Sequence, residues 1–210
     1  MNSCSGVTVV GLTGQSGSGK STVSEVFGNN GFSVINADKV ARQVTMPGTE
    51  CMKIIESVFP ECMNESTGEM NRQRMARLVF SNPDMMLLYS KIIYPFITTQ
   101  ILREIRTLST EGASYILLDA PTLFESKADD FCNYIVSVIA EERIRFERIV
   151  KRDGISPENV KKRFSAQKGN NYYIKRSDAV IYNNGSFEEL VSEAEKTVLK
   201  IKEMFDEKRR

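Results

Sequence analysis

The stretch GLTGQSGSGKS, residues 11–21, carries four glycines and a single lysine among small hydroxyl residues. It follows the apolar, β-branched run Val7-Thr8-Val9-Val10. It precedes residues 21–27, where Val23, Val26 and Phe27 recur at helical spacing. A strand over 7–12, a turn almost without side chains and then a helix are therefore expected. Gly14, Gly19, Lys20 and Ser21 match the spacing G-x-x-x-x-G-K-[ST], with Gly17 adding backbone freedom. Such a turn lets successive N–H groups point inward around a polyphosphate, which requires positive φ and no Cβ in the way. The following helix adds partial positive charge at its N-terminus. Lys20 is expected to reach the β- and γ-phosphates of ATP and the Ser21 hydroxyl to ligate Mg²⁺. Ser18 and Thr22 are counted in the same nucleotide site. The alternative is a flexible glycine turn without a ligand. A dinucleotide fold is disfavoured because G-x-G-x-x-G does not occur.

Asn29-Asn30-Gly31 then reads as a helix C-cap, and residues 32–36 as a second strand ending in Ala37-Asp38. The next strand comes only at 115–119, much further along than a simple βα unit requires. Between them, 51–59, 72–80 and 84–108 carry helical patterns, the last expected to kink or break at Pro95. Strands follow at 134–140 and 178–182. Asn183-Asn184-Gly185 turns the chain, and Ser186 with Glu189 forms a capping-box pattern. Leu190, Ala194, Val198, Ile201 and Phe205 mark a closing amphipathic helix. The expectation is an α/β fold: a mostly parallel five-stranded sheet with helices on both faces. Within one domain spanning 1–210, the core is assigned to 1–40, 113–140 and 177–210. A helical substrate-binding insertion is assigned to 40–112 and a lid to 141–176.

Composition narrows the chemistry. Histidine is absent, so imidazole bases and ligands are excluded and acid–base work falls to carboxylates, Lys or Tyr. Net charge is +1, which gives no global bias towards nucleic acid or membrane. No apolar run is read as long enough to cross a bilayer, and the N-terminus has no signal-peptide pattern. Cys4, Cys51, Cys62 and Cys132 are scattered without a CxxC pair, the usage expected of reduced thiols in a cytoplasm. A monomer is expected, with a small-molecule partner.

Local charge departs from this neutrality. Residues 141–176 hold eleven Lys or Arg against five Asp or Glu, a local +6 that leaves about −5 for the remainder. On a helix, Arg145, Arg148 and Arg152 fall within a sector of about 60°. Ile149 lies beside it, and Phe146 and Val150 continue the apolar side. Three readings stand: a solvated helix face, an RNA-binding surface (disfavoured, since no aromatics interleave on the arginine face), and a lid over bound triphosphate. Gly154 and Gly169 are candidate hinges of such a lid. Two carboxylates also stand out. Asp38 lies just past the second strand, where doubly wound folds place ligands, and could take a proton from an attacking hydroxyl. It could equally be the N-cap of a helix starting near Lys39. Asp119 ends ILLD and is either a Mg²⁺-organising acid or a turn residue. Ser126-Lys127-Ala128-Asp129 resembles a guanine-reading element but precedes a strand instead of following one.

Several pieces in order resemble the dephospho-CoA kinase family: GLTGQSGSGKST (11–22), NADKVARQV (36–44), IIYPFI (92–97), LDAPTLFES (118–126), RFERIVKRDGIS (145–156), RFSAQ (163–167) and DAVIYNNGS (178–186). The resemblance spans nearly the whole chain and implies a P-loop kinase fold. It also implies ATP-dependent phosphorylation of the ribose 3′-hydroxyl of dephospho-CoA, the last step of coenzyme A synthesis. By position it would make Lys20 the phosphate-contacting lysine and Asp38 the catalytic acid–base residue. Arg148 and Arg152 would be nucleotide-contacting lid arginines, and Asn183 would lie beside the adenine. Arg42 would face the acceptor and the helical insertion would bind it, with Tyr94 in that substrate set. Asn36 stands where the family usually has Asp, Tyr94 where it has His, Thr122 where it has Leu, and Tyr182 where it has Asp. Tyr94 can donate one hydrogen bond but carries no positive charge. The rival readings are another P-loop nucleoside or nucleotide kinase and a non-enzymatic ATP-binding switch.

Overall fold

The structure is a computed structural model that describes residues 6–64 and 66–207; Cys4 lies outside them. Two compact units make up the described chain, 6–35 with 107–207, and 36–106. The first holds a five-stranded sheet in the order β2-β3-β1-β4-β5. Its strands are β1 (Thr8–Gly14), β2 (Ser33–Asn36), β3 (Tyr115–Asp119), β4 (Tyr134–Ile139) and β5 (Ala179–Tyr182). Parallel ladders join β1 to β3 and β4, and β4 to β5. β1 is flanked on both edges and buried throughout, which is why its sequence is apolar without alternation. Alternation is resolved one strand out. Val136, Val138 and Ile181 enter the main core, while Ile135, Ile139 and Val180 join Phe124, Tyr172 and Tyr173 in a second cluster.

Helix α1 (Lys20–Asn29) and the last helix, α9 (Phe187–Glu207), pack together against the main core. The end of α1 is a Schellman motif. Phe32 N–H bonds to the Phe27 carbonyl at 3.2 Å, and Gly31 sits at φ +85°. The apolar contact that accompanies this motif is present too. The Phe27 and Phe32 rings meet edge-on with centroids 4.9 Å apart. The expected capping box of α9 is formed in both directions: Glu189 N–H to Ser186 Oγ at 3.2 Å and Ser186 N–H to Glu189 Oε2 at 2.9 Å. Between β4 and β5 the basic segment folds as α6 (Glu142–Asp153), α7 (Pro157–Ser165) and α8 (Asn170–Ile174).

The second unit contains α2 (Ala37–Val44), α3 (Glu50–Val58), α4 (Arg72–Ser81) and most of α5 (Pro83–Thr110). Its own core joins Cys51, Met52, Ile55, Phe59, Met75 and Ile93, with Cys51 and Cys62 buried as free thiols. One sequence expectation fails here in part, and one open choice is decided. Helix α5 runs through Pro95 without a break, because the lost N–H costs one bond while Ile92, Ile93, Phe96 and Ile97 on either side pack into this core. The unbroken helix is also long and apolar enough, by length and composition alone, to pass as a membrane span. The open choice concerns α2. Its N-cap is Asn36, whose Oδ1 accepts from Lys39 N–H at 2.9 Å, so Asp38 is a first-turn residue and not the cap.

Phe27 closes the α1 motif and is wholly buried. Phe27→Ala should therefore destabilise the protein by about 3–5 kcal/mol. The check is a lower urea midpoint at unchanged slope; a loss under about 1 kcal/mol would show that the motif is not stabilised by this ring.

Candidate active site

The strand order sets the site. From β1 the chain passes over β3 towards β2, and from β3 it passes back over β1 to β4, so the two connections leave in opposite directions. Open parallel sheets wound this way place their ligands at the carboxyl ends of the strands. Both carboxyl ends carry the expected groups. The glycine loop leaves β1 at Gly14, and Asp119 ends β3 in register with Leu12. Thr13 Oγ1 donates to the Pro121 carbonyl at 3.2 Å, fixing one strand exit to the other. Lys20 forms an ion pair with Asp119, whose side chain is 5% exposed against 15% for the lysine. The sequence placed these two on different partners, phosphate and metal. The fold brings them directly together.

The loop is walled by other segments. Gly14, Gly17 and Gly19 all have positive φ. At Gly17 (φ +79°) a Cβ would stand 2.9 Å from the Arg145 carbonyl oxygen and 3.0 Å from Ile149 Cγ1, so conformation and space both exclude a side chain. Ser18, fully buried, has its carbonyl bonded by Asn183 Nδ2 at 2.7 Å. Asn183 Oδ1 and its backbone carbonyl each accept from Arg148, both at 3.1 Å. Asn183 thus ties the loop, the end of β5 and α6 into one network, with both ends of its amide engaged. From the α7–α8 connection, Gln167 Oε1 accepts from Ser16 N–H at 3.3 Å, and Gln15 Nε2 donates to the Lys168 carbonyl at 2.8 Å. Nothing in the spacing of RFSAQ indicated that its Gln167 reaches the loop. Gln15 and Gln167 did not stand out as site residues, because each acts through a distant segment.

The three arginines expected on one lid edge have separate environments. Arg145 is buried, lies over the Phe164 ring at 4.4 Å and donates to the Ser16 carbonyl at 3.5 Å. Arg148 is half-buried against Asn183. Arg152 is exposed and bonds Asp153 twice, at 2.6 and 3.0 Å, and Arg163 adds a third bond to the same carboxylate. Together they hold the Asp153 carboxyl well below the usual carboxylate range, Arg152 contributing most.

In the helical unit, Asp38 and Arg42 lie one turn apart on α2, and both are exposed. Asp38 is released from capping by Asn36 and is therefore available to a ligand. Tyr94 is half-buried at the edge of the α3–α5 core. For a metal, no three of His, Cys, Asp and Glu gather among the described residues. Ser21, exposed in the first turn of α1, and Asp119, paired with Lys20, both offer hard oxygens. That suits Mg²⁺ arriving with a triphosphate, which takes only one or two protein oxygens.

A family model described as dephospho-CoA kinase matches residues 8–189. A dephospho-CoA kinase of Arabidopsis thaliana is 37% identical over 194 residues, covering 92% of this chain and 84% of that protein. Among solved structures, a Thermus thermophilus protein superposes with TM-score 0.82 at 30% identity, covering 92% of this chain and 97% of that one. Dephospho-CoA kinase from Campylobacter jejuni gives TM-score 0.67 at 25% identity, covering 92% and 96%. A shikimate kinase from Acinetobacter baumannii, TM-score 0.52 at 14% identity with 97% and 96% covered, shares the fold. With the phosphate loop, its paired Lys20 and Asp119, and a family match over most of its length, the chain belongs to the dephospho-CoA kinase family.

Proposed function

We propose that the loop and its walls hold ATP while residues of the helical unit present the acceptor alcohol. The overall reaction is the one the family performs: the ribose 3′-hydroxyl of dephospho-CoA is phosphorylated at the expense of ATP, giving coenzyme A and ADP in the last step of coenzyme A biosynthesis. The observation that carries the assignment of roles is the Lys20–Asp119 pair beside a glycine-rich loop whose Gly14, Gly17 and Gly19 have positive φ. An ammonium held there by one carboxylate can exchange it for phosphate oxygens at little cost, since one anionic partner replaces another. Lys20 then neutralises the β- and γ-phosphates, together with Ser18, Ser21, Thr22 and the backbone of Gly14, Gly17 and Gly19. Ser21 and the released Asp119 would hold Mg²⁺, which when bound screens the charge of the triphosphate.

The acceptor hydroxyl oxygen bonds to the γ-phosphorus, the bond to the β–γ bridging oxygen breaks, and ADP departs. Asp38 receives the hydroxyl proton; its exposure and freedom from capping support that role. Arg42, one turn away, and Tyr94 belong to the acceptor side. Arg148, kept at the loop by Asn183, and Arg152 supply cations to the transferring group. Excluding water is the further task of the lid, since water would compete as acceptor. A cytoplasmic setting is part of the reading, consistent with the unpaired Cys51 and Cys62 thiols in one core.

ADP release should be stimulated by dephospho-CoA and not by nucleosides or shikimate, with the product heavier by one phosphoryl group in mass spectrometry. Acceptor-independent ATP binding without ADP formation would instead mean a switch, and stimulation by a nucleoside a different kinase. Asp38→Asn should lower kcat about 10²–10⁴-fold with little change in KM for either substrate and no loss of thermal stability. An effect confined to stability would return Asp38 to a structural part. Lys20→Ala should leave the fold intact and abolish ADP formation; an unfolded variant would make its pairing with Asp119 structural.

A further inference from the structure

Arg145 differs from every other cation of the basic segment in being buried, at 4% exposure. Among the described residues no carboxylate lies within ion-pair distance of it, whereas Lys20, Arg152, Arg163 and Arg176 all have one. What surrounds it is the face of Phe164 at 4.4 Å, the Ser16 carbonyl at 3.5 Å, and Gly17 close against its own backbone. Its Nε is buried without a hydrogen-bond partner. The charged and titratable groups that bear on it are Glu142, exposed on its own helix, and Tyr173 from α8. Burial outweighs both and weakens its hold on the proton.

A buried cation without an anion is costly, and a folded chain keeps one where the compensating charge comes from elsewhere. The place is telling. The buried side-chain atoms left without partners, Arg145 Nε, Gln15 Oε1 and Ser18 Oγ, all belong to the loop or to the helix packed behind it. Through the low-dielectric packing of Phe164 and Ile149, a guanidinium there projects its field into the loop with little screening.

We propose that Arg145 is a positioning residue for the triphosphate. Resting on the nucleotide reading of the loop, it acts from behind, through the Ser16–Gly17 backbone, as a buried positive charge that makes the site discriminate nucleotides by phosphate charge. It touches no substrate atom. Phe164 of RFSAQ supplies the ring that keeps the guanidinium there, which gives that motif a role besides the Gln167 contact to Ser16.

The test is binding of ATP, ADP and AMP to the full chain, by calorimetry, for the wild type, Arg145→Gln and Arg145→Lys. Gln keeps an amide donor for the Ser16 carbonyl and loses the charge, while Lys keeps the charge and loses the planar stack. R145Q should weaken ATP about tenfold or more, ADP less and AMP least, whereas R145K stays within about threefold of wild type for all three. Equal weakening of all three nucleotides by R145Q, an unchanged ATP-to-AMP ratio, or R145K as poor as R145Q would overturn the assignment. So would an R145Q chain that no longer melts cooperatively, since Arg145 would then be a core residue. Wild type that binds no ATP would defeat the nucleotide reading itself, a different result from any of these.

Discussion

A turn that must wrap its backbone around an anion can carry almost no side chains of its own, and so cannot hold its own shape. In this protein the walls come from far along the sequence: Asn183 from the end of β5 on the Ser18 carbonyl, Gln167 on Ser16 N–H, Arg145 and Ile149 against Gly17, and Asp119 on Lys20. β1 gives the loop a fixed origin, because its two parallel neighbours leave it no freedom to slide. The basic segment α6–α8 is therefore part of the scaffold of the loop.

Electrostatics at the loop follow two regimes. Lys20 has a carboxylate beside it and can trade one anion for another. Arg145 has none within ion-pair distance among the described residues and rests on the Phe164 face and the Ser16 carbonyl instead. Arg152, solvated and bonded to Asp153, lies in a third environment where water screens most of its charge. Three arginines within one helical sector thus differ in burial, partner and effect, although their sequence spacing treats them alike.

The sheet, its five strands, the closing helix with its capping box and the phosphate loop were all legible, since each rests on local pattern: β-branched runs, Ser186 with Glu189, glycines at fixed intervals. What the pattern misjudged or left open has equally local causes. Pro95 ends helices in isolation, but here flanking apolar residues pack on a core that periodicity does not describe. A capping role stayed open for Asp38 because the helix was started two residues late; Asn36 takes that place with its own side chain. The same Asn36 departs from the family's usual Asp, and a neutral amide caps as well as a carboxylate.

Spacing determined that a strand, a glycine turn with one lysine and a helix would present amide hydrogens to a polyphosphate, and composition that acid–base work would fall to carboxylates, Lys or Tyr in a chain without histidine. Tertiary structure decided which cation is buried and which solvated, that Lys20 meets Asp119, and that Asn183 and Gln167 brace the loop. Those choices depend on which distant segments the sheet order makes neighbours. Burial and charge pairing are properties of neighbours in space, and no residue's type or spacing carries them.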